Sequence, residues 1–84
     1  MTLKLLFFAR LREALGVSRE SLTLDAPATV AVLLDHLRAR GGVWATELAV
    51  GRNFRIAVNQ EMARLDTPLS AGDEVAVFPP VTGG

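Results

Sequence analysis

Residues 72–84 read GDEVAVFPPVTGG, and this stretch decides how the fold is interpreted. Val75 and Val77 share one face of a strand, because successive side chains in a strand point to opposite faces. We therefore predict that the last strand of the fold covers Glu74–Phe78. The strand cannot extend through Pro79-Pro80, since proline lacks the backbone N–H that a sheet interior requires.

The residues after this strand form a predicted tail, residues 79–84. Its two prolines hold the departing chain extended, and the segment from Pro80 onward can reach roughly 17 Å at about 3.4 Å per residue. Its two glycines make a slim tip that could enter a narrow channel and present the α-carboxylate of Gly84. We predict a flexible, functional tail, and a frayed terminus without function is the alternative. The members of the tail are Pro79, Pro80, Val81, Thr82, Gly83 and Gly84.

Upstream of the last strand, one helix stands out clearly. Thr29 is a suitable N-cap for it, and Gly41-Gly42 is expected to end it. Its apolar residues recur at i, i+3, i+4 and i+7, the spacing of one helix face. These residues are Val30, Leu33, Leu34 and Leu37.

The other segments are short and point to a mixed sheet. We predict strands at residues 2–8, 20–24, 54–58 and 62–65, a short helix at Ala9–Leu15, a helical turn within residues 44–50 and a chain reversal at Asn59-Gln60. Strands interrupted by one main helix favour an α+β fold, with a four- or five-stranded mixed sheet packed on that helix. No linker or repeat divides the chain, which predicts a single domain over residues 1–84.

Alternation in the strands also places large apolar side chains on the face away from the core. If Phe7 and Val77 point inward, Phe8 and Phe78 point outward, and Met62 is expected beside them. Exposed apolar patches usually mark partner surfaces, so these three outward residues are predicted to bind a partner. Two alternatives remain open: the helix covers both faces, or the register is shifted by one residue and these side chains belong to the core.

Composition excludes several classes of function. Lys and Arg together equal Asp and Glu, nine each, so the chain lacks the basic excess that nucleic acids and anionic membranes attract. No apolar run approaches the length of about 18 residues that spans a membrane. Residues 1–8 begin directly in a strand pattern without a basic leader, which predicts a cytoplasmic protein.

The sequence carries no recognisable catalytic or metal site of its own. Cysteine is absent, which excludes disulfides, thiol nucleophiles and cysteine-ligated metals. The one histidine, His36, lies off the apolar stripe of the main helix and is predicted to be solvated. Asp73 and Glu74 point to opposite faces of a strand, so they are not expected to act as a catalytic pair. The sequence therefore does not indicate a self-contained enzyme.

Three segments of the sequence resemble a known family. They are LLFFA at residues 5–9 with Arg12-Glu13, Val58-Asn59-Gln60, and residues 72–84. These segments are similar to the small subunits of molybdopterin synthase, which are sulfur carriers of the ubiquitin-like β-grasp type. The closing FPPVTGG is the most specific of these motifs, whereas the middle of the chain, residues 18–53, contributes pattern but no motif.

The resemblance implies a mechanism that is centred on Gly84. In such carriers an adenylating enzyme of the ubiquitin-activating type uses ATP to convert the C-terminal carboxylate into an acyl-adenylate, and sulfur then replaces AMP to leave a thiocarboxylate. The resemblance further implies that the tail enters a large subunit, in a heterotetramer, where cyclic pyranopterin monophosphate receives the sulfur during molybdenum cofactor biosynthesis. No permanently bound cofactor and no metal are expected on the small subunit.

Other functions remain open for the same residues. A sulfur carrier for another pathway, such as thiazole synthesis, would use the same chemistry at Gly84. A ubiquitin-like modifier would instead be ligated to lysines of target proteins. A plain interaction module would make no chemical use of the two terminal glycines.

Overall fold

The structure, a computed structural model, describes residues 1–80. The tail residues Val81, Thr82, Gly83 and Gly84 lie outside the described residues, so the predictions made for them are not addressed by it. Within residues 1–80 the strands are β1 (Thr2–Phe7), β2 (Arg19–Thr23), β3 (Ala28–Thr29), β4 (Arg55–Val58), β5 (Glu61–Met62), β6 (Pro68–Leu69) and β7 (Glu74–Phe78), and the helices are α1 (Ala9–Leu15), α2 (Val30–Arg38) and α3 (Gly42–Glu47).

The main sheet has five strands in the order β2-β1-β7-β4-β5. The first and last strands, β1 and β7, run parallel at its centre, and all its other pairings are antiparallel. The prediction of a mixed α+β sheet is therefore confirmed. A second, two-stranded sheet pairs β3 with β6, and the sequence analysis did not predict it.

The core lies between the main sheet and the helices. Leu3 and Leu5 are fully buried and Phe7 is 1% exposed, which confirms the predicted inward face of β1. Each buried side chain removes apolar surface from water, which stabilises the fold by about 25 cal/mol for each Å² buried. All four predicted core residues of α2 are buried with them: Val30, Leu33, Leu34 and Leu37.

The prediction that Gly41-Gly42 ends the main helix needs correction. The helix α2 already ends at Arg38, with Ala39 as its C-cap, and Gly41 is the N-cap of α3. Gly41 adopts a φ of 75°, which a residue with a side chain rarely tolerates, so the chain can turn directly from one helix into the next. The sheet thus packs against three helices in residues 1–80, of which α2 is the longest.

An aromatic and ionic cluster holds α3 against the sheet. The rings of Phe7 and Trp44 meet edge to face, with centroids 5.4 Å apart. The Arg40 guanidinium lies 4.4 Å from the centre of the Trp44 ring and forms an ion pair with Glu20 of β2. The hydrogen bond to Glu20 is the main cause that raises the pKa of Arg40.

The predicted strand boundaries shift where turns are tighter than expected. Asn59 and Gln60 both have positive φ, 52° and 70°, so the reversal needs only two residues and β5 begins at Glu61 instead of Met62. The strand is also shorter than predicted, because the chain turns again at Arg64, whose backbone N–H donates to Thr67 Oγ1 at 2.9 Å.

We expect Thr29→Ala to lower the stability of the fold by about 1 kcal/mol, which corresponds to a melting temperature lower by about 4–8 °C in a domain of this size. Thr29 Oγ1 accepts a hydrogen bond from the backbone N–H of Val32 at 3.4 Å and so caps α2. Thermal unfolding followed by circular dichroism measures the change. Thr46→Ala is the matched control, because Thr46 only bonds the carbonyl of Gly42 within α3 and its loss should leave the melting temperature almost unchanged. Equal effects of the two substitutions would contradict the capping role.

Candidate functional site

The face of the main sheet opposite the core carries a continuous apolar surface. The cross-strand register aligns one residue from each strand in a single row, and the row is Met62, Ala57, Ala76, Leu6 and Arg19. The core cluster draws on α1, α2 and the inward side chains of β1 and β7, with Trp44 of α3 packed against it, and it contains none of these five residues. The described helices therefore leave this face of the sheet uncovered.

We call this surface the outer patch. Its most exposed members are Met62, at 64%, and Phe8, at 44%, whereas Phe78 is half-buried. Apolar side chains of this size are normally buried, so a group of them on an open sheet face is a candidate binding surface. The outer patch consists of Leu6, Phe8, Ala57, Met62, Ala76 and Phe78.

Phe8 is held firmly at one end of the outer patch. Its backbone N–H donates to the carbonyl of Val77 at 3.2 Å, and its own carbonyl accepts from the N–H of Leu11 at 3.1 Å. Directly after it, Ala9 takes a φ of 52°, which turns the chain from β1 into α1 without a loop. The Phe8 ring is thus presented from a backbone position that is bonded on both sides, which lowers the entropy lost when a partner binds.

The outer patch ends where the chain leaves the sheet. Phe78 is the last residue of β7, and it is followed by Pro79 and Pro80, both half-buried. Any partner that covers the outer patch is therefore positioned at the start of the tail. Phe8 lies close to this point, since its N–H donates to the carbonyl of Val77, whereas Met62 lies on β5, two strands away from β7. The position of Gly84 is outside the described residues.

Cationic side chains border the outer patch. Arg55 of β4 lies in register with Phe78, and Arg19 of β2 lies in register with Leu6. Both arginines are exposed. An apolar centre with a charged, solvated rim is the usual anatomy of a protein–protein interface, and this basic rim complements a partner surface with acidic edges.

The carboxylate of Asp73, which was not expected to form a catalytic pair with Glu74, is held in a turn by hydrogen bonds. Asp73 Oδ2 accepts the backbone N–H of Ser70 at 2.8 Å, and Asp73 Oδ1 accepts the side-chain amide of Asn59 at 3.0 Å. Asn59 Oδ1 in turn accepts the backbone N–H of Glu74 at 3.0 Å. This network closes the end of the sheet opposite the tail, so the side chain of Asp73 stabilises a turn.

His36 is exposed on α2, as predicted. Within residues 1–80, no three acidic or histidine side chains come close enough together to ligate a metal ion. None of the helices described for this chain is long and apolar enough to span a membrane.

The sequence analysis named three of the six members of the outer patch and left out Leu6, Ala57 and Ala76. Ala57 was the hardest of these to predict. It is only 8% exposed, yet it does not belong to the core cluster, because it lies between Ala76 and Met62 on the opposite face. The sequence of β4 does contain a pattern that places Ala57 on one face with Arg55, because these two residues alternate with Ile56 and Val58. Assigning that alternation to the outer face required the pairing of β4 with β7, which the sequence does not specify.

Comparison with known proteins places these features in a family. Residues 5–84 match the model of the ThiS family. The molybdopterin synthase sulfur carrier subunit of Escherichia coli (strain K12) is 46% identical over 82 residues, which cover 98% of this chain and 99% of that protein.

Solved structures agree in fold. SAMP1, a small archaeal modifier protein from Haloferax volcanii, matches with a TM-score of 0.83 at 30% identity over 100% of both chains. A complex of subunits 1 and 2 of the molybdopterin-converting factor from Helicobacter pylori 26695 contains a chain that matches with a TM-score of 0.69 at 26% identity, again over 100% of both chains. These neighbours confirm the predicted ubiquitin-like β-grasp fold.

Proposed function

The chain belongs to the ThiS family, and from that premise we propose that it is the sulfur-carrier small subunit of a molybdopterin synthase. The observation that carries this proposal is the 46% identity, over nearly the full length of both chains, to the Escherichia coli sulfur carrier subunit. The outer patch supports it independently, because a carrier must dock on a larger protein that supplies the catalytic groups it lacks.

The proposed chemistry takes place at the carboxylate of Gly84. A carboxylate is a poor electrophile, so an adenylating enzyme of the ubiquitin-activating type first joins it to AMP, with ATP as the source and pyrophosphate as the other product. A sulfur donor then displaces AMP and leaves a thiocarboxylate, a soft nucleophile at neutral pH. Because the chain has no cysteine, Gly84 is its proposed site for covalent sulfur.

We propose that the outer patch binds the large subunit. The Helicobacter pylori complex, in which a similar chain is paired with a second subunit, supports a partner of this kind. Docking on the patch would bring the tail to the partner's active site, where the thiocarboxylate transfers sulfur to cyclic pyranopterin monophosphate. No resident cofactor or metal is required on the small subunit, since the reacting sulfur is carried by its own C-terminus.

A second candidate function is protein modification. The similarity to SAMP1, whose expanded name describes a modifier, favours it. A modifier would use the same acyl-adenylate but transfer Gly84 to a lysine amine, and not to sulfur. The two functions therefore share activation and differ in the acceptor.

The experiment that tests the proposal is a mass measurement on the intact chain. After incubation with the adenylating enzyme, ATP and a sulfur donor, we expect the mass to rise by the difference between sulfur and oxygen, with the gain in the C-terminal peptide. Mixing with the large subunit and cyclic pyranopterin monophosphate should return the original mass as the dithiolene product forms.

The matched control is a chain extended by one alanine after Gly84, which keeps both glycines but moves the free carboxylate. It should gain much less sulfur, because the adenylating site must hold a slim chain end in line with the phosphate. Equal gain by the extended chain would refute a dedicated role for Gly84. A gain that is never discharged to the pterin would point to a carrier for another pathway.

A further inference from the structure

The chain uses lysine at one position only. Lys4 is the single lysine in the sequence, and its other eight cationic side chains are arginines. The two residue types differ in their reactivity toward activated acyl groups. An arginine guanidinium stays protonated and does not act as an acceptor, whereas a lysine amine attacks an acyl carbon once it is neutral. A protein whose own C-terminus becomes an acyl-adenylate therefore carries one side-chain amine that could capture it.

The fold leaves that amine accessible. Lys4 is exposed in the middle of β1, on the same side of the sheet as the outer patch, with Ser21 and Glu74 as its cross-strand neighbours. None of the ion pairs within residues 1–80 involves Lys4. The other amine that could accept the acyl group is the terminal ammonium of Met1, which is part-buried and donates to the carbonyl of Leu24 at 2.8 Å. Of the two amines, Lys4 is thus the more accessible to solvent and to a second molecule.

We propose that Lys4 is the single acceptor through which a second, activated copy of this chain becomes joined by an isopeptide bond. The proposal rests on the proposed function, because the acyl-adenylate at Gly84 is its co-reactant. The neutral Nζ of Lys4 attacks the Gly84 carbonyl carbon, the bond between that carbon and the phosphate oxygen breaks, and AMP leaves with the electron pair. Nζ releases a proton to solvent, so one amide forms for each acyl-adenylate consumed.

Geometry favours a second copy over the chain's own tail. Lys4 lies beside Glu74 at the start of β7, whereas the tail leaves from Phe78 at its end. Four residues of strand separate these points by roughly 13 Å, which is within the tail's extended reach, so the obstacle is direction: the chain would have to reverse to return to Lys4. Pro79 and Pro80 further restrict a return of the chain toward its starting point, since their φ angles are fixed near −65°. A linear dimer is therefore the expected product.

The test incubates the full chain with the adenylating enzyme and ATP, without a sulfur donor, at mildly alkaline pH. We expect a species that survives denaturing electrophoresis at about twice the mass of 9.0 kDa. Trypsin should leave Lys4 joined to a remnant that runs from Leu65 to Gly84, because Arg64 is the last cleavable residue before the C-terminus. Release of pyrophosphate, the product of adenylation, is measured in the same samples, so activation is scored separately from capture.

Lys4→Arg is the decisive variant, since it keeps the charge and removes the acceptor. We expect at least about a tenfold loss of dimer, with unchanged release of pyrophosphate in the first turnover and an unchanged melting temperature. A dimer that persists in this variant, or a linkage mapped to Met1, would overturn the proposal. Pyrophosphate release without any dimer in the parent chain would also overturn it while leaving the proposed function standing. Failure to release pyrophosphate would count against the proposed function itself.

Discussion

Deleting Gly83 and Gly84 should abolish sulfur transfer and leave the melting temperature within about 1 °C of that of the parent chain. The deletion removes the carboxylate that the adenylating enzyme activates, so neither the acyl-adenylate nor the thiocarboxylate can form at the correct position. Stability should be retained because the core is built from side chains of the main sheet and the helices, the last of them Val77. Formation of the dithiolene product in the reconstituted synthase measures the loss, which we expect to exceed a thousandfold.

The shortened chain also allows binding to the large subunit to be measured separately from sulfur transfer. Because it retains the whole outer patch, it should still bind the large subunit and compete with the parent chain for it. Inhibition of the synthase by an excess of the shortened chain would show that docking and chemistry reside in different parts of the molecule. A shortened chain that unfolds would instead assign the tail a structural role and remove the main support for a carrier.

The elements that could be predicted from the sequence are those with a local cause. The apolar spacing in Val30–Arg38 specifies one buried helix face, and the alternation in Glu74–Phe78 specifies one buried strand face, so both elements were correctly located. The pairing of β3 with β6 could not be predicted, because Ala28–Thr29 and Pro68–Leu69 become strands only when the fold brings them together. The role of Gly41 could not be predicted either, because a glycine with positive φ can end one helix or begin the next, and in this fold it is the N-cap of α3.

In the candidate site, too, the residues that could be predicted are those whose position has a local cause. Phe8 and Phe78 follow inward residues of their own strands, so their outward direction is a local property, and the structure places both on the outer face. Ala57 joins them only through its alignment with Ala76 and Met62 on neighbouring strands. Single side chains of a sheet surface can thus be predicted from alternation, whereas the extent of a patch depends on strand order.

Phe8→Asp should weaken binding to the large subunit by about a hundredfold, equivalent to about 2.8 kcal/mol, because it places a charge in a desolvated part of the interface. The isolated domain should lose much less, since the Phe8 ring is 44% exposed, whereas truncating a core phenylalanine typically costs about 3–5 kcal/mol. Phe78→Asp should have a smaller effect on binding, because Arg55 lies in register with position 78 and can pair with the new carboxylate. Isothermal titration with the large subunit, together with thermal unfolding of each variant, measures both quantities.

Val50→Asp is the matched control for Phe8→Asp. Val50 is 89% exposed and lines a cleft against Val30 and Leu34 on the helical side of the sheet, away from the outer patch. It therefore introduces the same charge at an exposed apolar position without touching the proposed interface, and binding should remain within about twofold of the parent chain. If the two substitutions weaken binding equally, net charge and not the outer patch governs association. If Phe8→Asp unfolds the domain while Val50→Asp does not, Phe8 is a core residue, and the partner must be sought on another face of the fold.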